Sequence, residues 1–238
     1  SALSGLTNLQ VLYLSENQIS HIPVLPASLR ELYADNNVIL DVSGLDGLTN
    51  LQELYLRQNQ IRDISALSGL TNLQVLYLSE NQISQIPVLP ASLREFYADD
   101  NLIVDVSGLD DLPNLQDLHL CQNQISDTAP LAALTALRDL RLNNNHIVEI
   151  SSLSNMTNLQ MLHLSLNQIS DISALCSMTH LQNLSLSYNN VVDISALSNL
   201  TNLESLSLDN NRVEHVSALS DLVKLRWLSL GTGWWIPG

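Results

Sequence analysis

The chain is 238 residues long and 45% apolar, enough to bury a large core, yet it has one Phe and 4% aromatic residues, so that core must be built mainly from leucine. Its 24 acidic against 9 basic residues give a formal charge of −15 and a pI near 4.4, which repels phosphate backbones and anionic headgroups. Nucleic acid and membrane surfaces are therefore poor partners, no nucleic acid is expected, and a basic or neutral protein is favoured. No apolar run approaches the ~18 residues of a membrane span, so no membrane insertion is expected. The opening SALSGLTNLQ lacks the charged and apolar regions of a signal peptide. The expected location is the cytoplasm, or outside the cell as the excised portion of a secreted or surface protein. Cys121 and Cys176 are the only cysteines and are expected as free thiols, which favours a reducing compartment.

From the N-terminus, the pattern Leu-x-x-Leu-x-Leu-x-x-Asn-x-Ile first appears at Leu9, Leu12, Leu14, Asn17 and Ile19 and returns along the chain. The asparagine marks the register at Asn17, Asn37, Asn59, Asn81, Asn101, Asn123, Asn145, Asn167, Asn189 and Asn211, with steps of 20, 22, 22 and 20 residues and 22 thereafter. An incomplete unit follows at Leu225, Leu228 and Leu230. A longer period overlies this one: residues 1–64 match residues 65–128 at 52 of 64 positions, the mark of a duplicated three-repeat cassette.

Each unit predicts a short strand that sends Leu12 and Leu14, or their equivalents, inward and Tyr13 outward. Units then stack as parallel strands ~4.8 Å apart. A buried Asn at the strand-to-turn bend offers donors and an acceptor to backbone groups that no ladder reaches. In return segments such as DISALSGLTNL, the Asp and Ser cap a short helical turn; the capping acids are Asp41, Asp63, Asp105, Asp127, Asp171 and Asp193. IPVLPASL has two prolines and predicts an extended path instead.

On these residues the chain resembles the leucine-rich repeat proteins over essentially its whole length. Units such as LQELYLRQNQIRDISALSGLTN resemble the internalin-type repeat, also seen in the nuclear regulatory subunit of protein phosphatase 1. IPVLPASLRELYADNNVI and IPVLPASLREFYADDNLI resemble the short repeats of type III secreted bacterial effectors. The resemblance implies an α/β solenoid: an arc with a parallel β-sheet on its concave face and short helical turns or extended segments on its convex face. Residues 1–230 would form the solenoid, as ten full repeats and a partial one, and residues 231–238 a capping tail in which Trp234, Trp235 and Ile236 cover the last leucines.

Catalytic chemistry is poorly supported. His119 lies two residues from Asp117 and from Cys121, so the three share one strand face and could be drawn as a metal site or a thiol dyad. Residues i and i+2 are ~6.5–7 Å apart at Cα, no second cluster supplies further ligands, and His163 stands ~10 Å away, two strands on. Phosphate loops, paired-Cys zinc patterns and nucleophile elbows are missing. The chain is read as no enzyme, without cofactor or metal. Cys121 and Cys176 fall on the strand face and on a return segment, so they should face opposite sides.

The functional signal is the outward column. It reads Tyr13, Tyr33, Tyr55, Tyr77, Tyr97, His119, Arg141, His163, Ser185, Ser207 and Ser229, and takes five of the six tyrosines. Glu31, Glu53 and Glu95 stand two residues before column members, and Asp35, Arg57 and Asp99 two residues after. Strand alternation forces the column outward, so core packing does not explain it. Two readings fit: a binding stripe with acidic flanks that takes basic side chains by ion pairs and cation–π contact, or rings that only stabilise one another in a stack copied by duplication. The first makes the chain a monomeric module that binds a basic protein on its concave face through Tyr13, Glu31, Tyr33, Asp35, Glu53, Tyr55, Arg57, Tyr77, Glu95, Tyr97, Asp99, His119, Arg141 and His163. The alternative is a structural spacer or scaffold segment of a larger bacterial surface protein. The serine half is expected to be plain scaffold.

Overall fold

A computed structural model describes residues 3–231. The inward leucines set the architecture: wherever two flank one outward residue, the chain runs as a three-residue strand. The strands are Val11–Tyr13 (β1), Glu31–Tyr33 (β2), Glu53–Tyr55 (β3), Val75–Tyr77 (β4), Glu95–Tyr97 (β5), Asp117–His119 (β6), Asp139–Arg141 (β7), Met161–His163 (β8), Asn183–Ser185 (β9), Ser205–Ser207 (β10) and Trp227–Ser229 (β11). They form one parallel sheet in sequence order, in unshifted register: Leu32 faces Leu54, Leu54 faces Leu76, and Leu76 faces Phe96. From Leu32 to Leu206 this central column is fully buried, at no more than 2% exposure, and Leu56, Leu78, Leu120 and Leu142 form a second buried column beside it. Parallel sheets are ordinarily covered on both faces. Here one face carries the core and the other stays open.

Behind the strands the chain must turn without a ladder to satisfy its backbone, and the asparagine column does that work. Asn123 donates through Nδ2 to the carbonyls of Leu120 at 3.2 Å, Cys121 at 3.2 Å and, in the preceding repeat, Ala98 at 3.0 Å. Its Oδ1 accepts the N–H of Ile103 at 3.0 Å. The same bonds recur at Asn59, Asn81, Asn101, Asn145, Asn167 and Asn189, all buried. The residue before each ladder asparagine, from Glu16 to Asn210, is left-handed with φ between 54° and 60°, although none is glycine. Leu and Tyr adopt this region reluctantly, yet Leu166 and Tyr188 occupy it, so the fold overrides local preference there.

A second side-chain ladder runs along the exposed end of the units. Asn72 donates to the Thr49 carbonyl at 2.7 Å, Asn158 to Thr135 at 3.0 Å and Asn202 to Thr179 at 2.8 Å, each joining one repeat to the last. The recurring Thr-Asn-Leu carried this signal in the sequence.

The return segments divide as expected. Eight contain 3-10 turns, from Ser43–Leu45 to Ser217–Leu219, and the acid before each of six accepts a backbone N–H two residues on, as Asp63 accepts from Ser65 at 2.8 Å. The two IPVLPASL units have no such helix and run extended, bridged to the next unit at His21 with Asp41 and at Gln85 with Asp105. The unit after each carries Gly44 or Gly108 where four others place Ala66, Ala174, Ala196 or Ala218 and two place Pro130 or Ser152. A Cβ at Gly44 would come within 3.0 Å of the Ile22 oxygen, and one at Gly108 within 3.0 Å of the Ile86 and Pro87 oxygens. The short units thus draw the backbones together until only glycine fits. The free cysteines lie apart, Cys121 half-buried after β6 and Cys176 exposed in the Ser173–Ser177 turn. Trp234, Trp235 and Ile236 lie outside the described residues.

Replacing Asn123 by Leu should cost about 1–3 kcal/mol, because buried backbone groups lose their partners, and thermal unfolding measures it. Gly108→Ala should cost about 1–3 kcal/mol by overpacking a backbone contact, whereas the reverse change Ala66→Gly should cost under about 1 kcal/mol. Equal losses at the two positions would contradict the close approach.

Candidate protein-binding surface

Unshifted strand pairing carries one outward residue from each strand into a single file. Tyr13, Tyr33, Tyr55, Tyr77 and Tyr97 stack with ring centroids 4.2–4.8 Å apart and planes 11–20° from parallel. His119 ends the stack edge-on to Tyr97, at 4.4 Å and 83°. Tyr13, on the sheet edge, is 70% exposed, and the other four are half-buried. The spacing and exposure expected from the strand period are both present.

The stack also corrects the expectation of cation–π contact. Both faces of Tyr33, Tyr55 and Tyr77 are covered by neighbouring rings, so a cation reaches only their edges; Tyr13 and Tyr97 each stack on one side only, with His119 edge-on beyond Tyr97. What the file presents is ring edges and hydroxyls, flanked by carboxylates. Tyr33 donates to Glu31 at 3.1 Å and lies 3.4 Å from Glu53, Tyr55 donates to Glu53 at 3.0 Å, and Tyr97 to Glu95 at 3.3 Å. Burial and the bond to Glu31 push the Tyr33 phenol up to about 12. Burial, followed by Glu53 for Tyr55 and by Tyr77 for Tyr97, raises those phenols further still. These three hydroxyls therefore stay neutral donors.

On the other flank, Asp35 Oδ1 accepts the Arg57 N–H and Asp99 Oδ1 the Cys121 N–H, each at 2.6 Å. Arg57 binds Glu80, which also accepts from Gln58 at 2.6 Å. At β6 to β8 the character changes. Arg141 makes a two-pronged bond to Asp139, its NH2 nitrogen lying 2.8 Å from Oδ2, and His119 Nε2 lies 3.2 Å from the same oxygen. Asp139 is 3% exposed. The bond to Asp139 raises the Arg141 pKa, and burial lowers that of His163. In the sequence, Asp139 has nothing to set it apart from the other acids two residues before the column, because its burial depends on neighbouring strands. Beyond β8 the surface drops to serines, and Ser207, expected to be plain scaffold, is buried with its hydroxyl bonded to Asp209 at 3.2 Å. Asp209 also accepts from Ser229 and from the Gly231 N–H, so this half is an internal polar network.

The family models Leucine Rich repeats (2 copies) and Leucine Rich Repeat match residues 27–69, 49–91, 91–133, 135–177 and 179–224, and residues 8–27, respectively. The chain belongs to the leucine-rich repeat proteins. No curated protein sequence matches it. Among solved structures, this leucine-rich repeat chain is similar to an internalin (InlF) of Listeria monocytogenes at 30% identity and a TM-score of 0.61, over 95% of this chain and 83% of that one. It is similar to internalin C2 (InlC2) of the same species at 32% identity and a TM-score of 0.67, over 85% and 81%. The octameric complex of latrophilin 3, Unc5D and the leucine-rich repeats of FLRT2 matches at 25% identity and a TM-score of 0.80, over 97% and 78%. In a leucine-rich repeat solenoid the sheet lines the concave face, and the tyrosine file stands on it. Among the described residues no helix is long and apolar enough to cross a membrane, and no group of three or more His, Cys, Asp and Glu could hold a metal ion.

Burial alone would raise the Asp139 pKa, but the His119 ring and the Arg141 guanidinium beside it outweigh it and hold the carboxyl at about 2, below the ordinary 3.8. Its folded pKa is depressed, so its contribution is present above pH ~4 and lost as pH falls through about 2. Asp139→Asn should therefore lower stability at pH 7 by about 1–2 kcal/mol, a figure reduced because Arg141 is partly exposed. The difference from the parent should shrink below pH ~3, as denaturant titrations across pH would show.

Proposed function

We propose that the chain is a non-catalytic interaction module that binds a basic protein on its concave face, through the tyrosine file and its acidic flanks. Residues 1–230 form the module, and it acts as a monomer. The observation that carries this is an uninterrupted file of five tyrosines on an uncovered sheet face, with ring edges and hydroxyls toward solvent and Glu31, Glu53, Glu95, Asp35 and Asp99 alongside. Tyrosines present a large amphipathic area at small entropic cost, the composition of interface anchors. The charge of −15 favours a basic partner and disfavours nucleic acid. The occurrence of FLRT2 leucine-rich repeats in a complex with latrophilin 3 and Unc5D supports a protein-binding role.

The experiment compares protein captured by the parent chain with that captured by a Tyr33→Ala, Tyr55→Ala, Tyr77→Ala variant, folding being checked by circular dichroism. The variant should lose the partner. Tyr55→Ala alone should weaken the complex by more than ~1 kcal/mol, and added salt should weaken it further as the exposed acids are screened. A partner held equally well by the triple variant would leave the spacer role and assign the stack to stability.

A further inference from the structure

The duplicated cassette sets two copies of one arrangement on the open sheet face, three strands apart. At β4 and β5 a 230 Å³ hollow is lined by Tyr77, Ser79, Tyr97, Asp99 and Asp100 and by the Arg57–Glu80 ion pair. At β1 and β2 the same register positions hold Tyr13, Ser15, Tyr33, Asp35, Asn36 and Glu16. The bonds repeat with the residues. Ser15 Oγ accepts the Asp35 N–H at 3.1 Å, and Ser79 Oγ accepts that of Asp99 at 3.2 Å. Both aspartates accept a backbone N–H of the next strand at 2.6 Å, and Tyr33 and Tyr97 each donate to the glutamate of their own strand.

Charge repeats as well. The first copy has Glu16 and Asp35; in the second, Glu80, Asp99 and Asp100 stand against Arg57, so each copy keeps two uncompensated negative charges. Among the described residues neither Asp35 nor Asp99 forms an ion pair. Burial raises the pKa of both carboxyls, against the hydrogen bonds each accepts. The Arg57 charge reaches Asp35 as well as Asp100 without pairing with either, and carboxylates held partly out of water with no ion pair of their own are completed by a cation from outside. The covered ring faces leave edges for a long apolar stem to lie along, with its charged head at the carboxylate.

Spacing then selects the ligand. Three strand steps of ~4.8 Å separate the copies by ~14 Å, and an extended chain advances ~3.3–3.6 Å per residue, so four residues cover the distance. In such a chain residues four apart point the same way. The geometry points to a bipartite site, resting on the concave-face function proposed above: the two copies hold two lysine or arginine side chains, four residues apart, in an extended segment of the partner protein.

The test uses the full chain and synthetic Gly/Ser peptides bearing two lysines three, four or six residues apart, of equal charge, titrated by fluorescence anisotropy at low ionic strength. The four-residue spacing should bind about tenfold more tightly than the others, because only it engages both copies at once. Asp35→Asn and Asp99→Asn should each erase that preference and leave the weak, spacing-blind attraction of the net charge, with a melting temperature no lower than the parent's. Equal affinity at every spacing, or a preference that survives both substitutions, overturns the inference. Either result leaves the concave-face function standing, since that fails separately, through a triple tyrosine variant that keeps its protein partner.

Discussion

The ladder of buried asparagines is the interaction on which the rest of the structure depends. A 20- or 22-residue unit gains its strand only by reversing direction immediately after it, and the reversal strips backbone groups of partners in a place water does not reach. One amide per unit replaces them, giving its donors to three carbonyls and its acceptor to an N–H of the neighbouring repeat, as at Asn123. Apolar burial supplies most of the driving force for such a solenoid, but it is indifferent to small displacements. The hydrogen-bonded amide is not, and it locks each unit to the last at one register. Unshifted strands follow from that lock, and so does the straight file of tyrosines.

In that file a stabilising feature and the proposed binding feature share the same atoms. Ring faces are spent on one another, which removes cation–π recognition from the three inner tyrosines and leaves edges, hydroxyls and carboxylates to the outside. At β6 to β8 the chain takes the opposite course with Asp139. There the acid has its own cation, Arg141, with the His119 ring beside it, and is closed to a partner. The contrast between Asp139, held low by its neighbours, and Asp99, raised by burial, separates a carboxylate that serves the fold from one left incomplete.

Much of this was legible in the sequence because a repeat converts sequence period into spatial period. Leucine spacing gave the strands, the asparagine steps gave the register, and the two prolines marked the units that lack a 3-10 turn. Other features were hidden because they depend on neighbours rather than on period. The left-handed residue before each asparagine has no consistent side chain, being Glu, Asn, Gln, Asp, Leu or Tyr. The requirement for Gly44 and Gly108 comes from the approach of the preceding short unit, not from any turn of their own. Outward tyrosines were readable one strand at a time; the closure of their faces is a property of the assembled stack.

The identity between residues 1–20 and 65–84, complete at every position, has a consequence for folding. The unit that begins at residue 85 meets 65–84 in the native solenoid, but residues 1–20 offer it the same surface. A chain that stacked the two directly would exclude residues 21–84 as a loop, with its new interface as well made as the native one. Local chemistry cannot reject that arrangement. What rejects it is global: three units lose their stacking, and a 64-residue loop must be closed at an entropic cost that grows only slowly with its length. Between the two cassettes, the order of the solenoid is thus kept by chain connectivity and cooperativity, and a degenerate, transient minimum is built into its energy landscape.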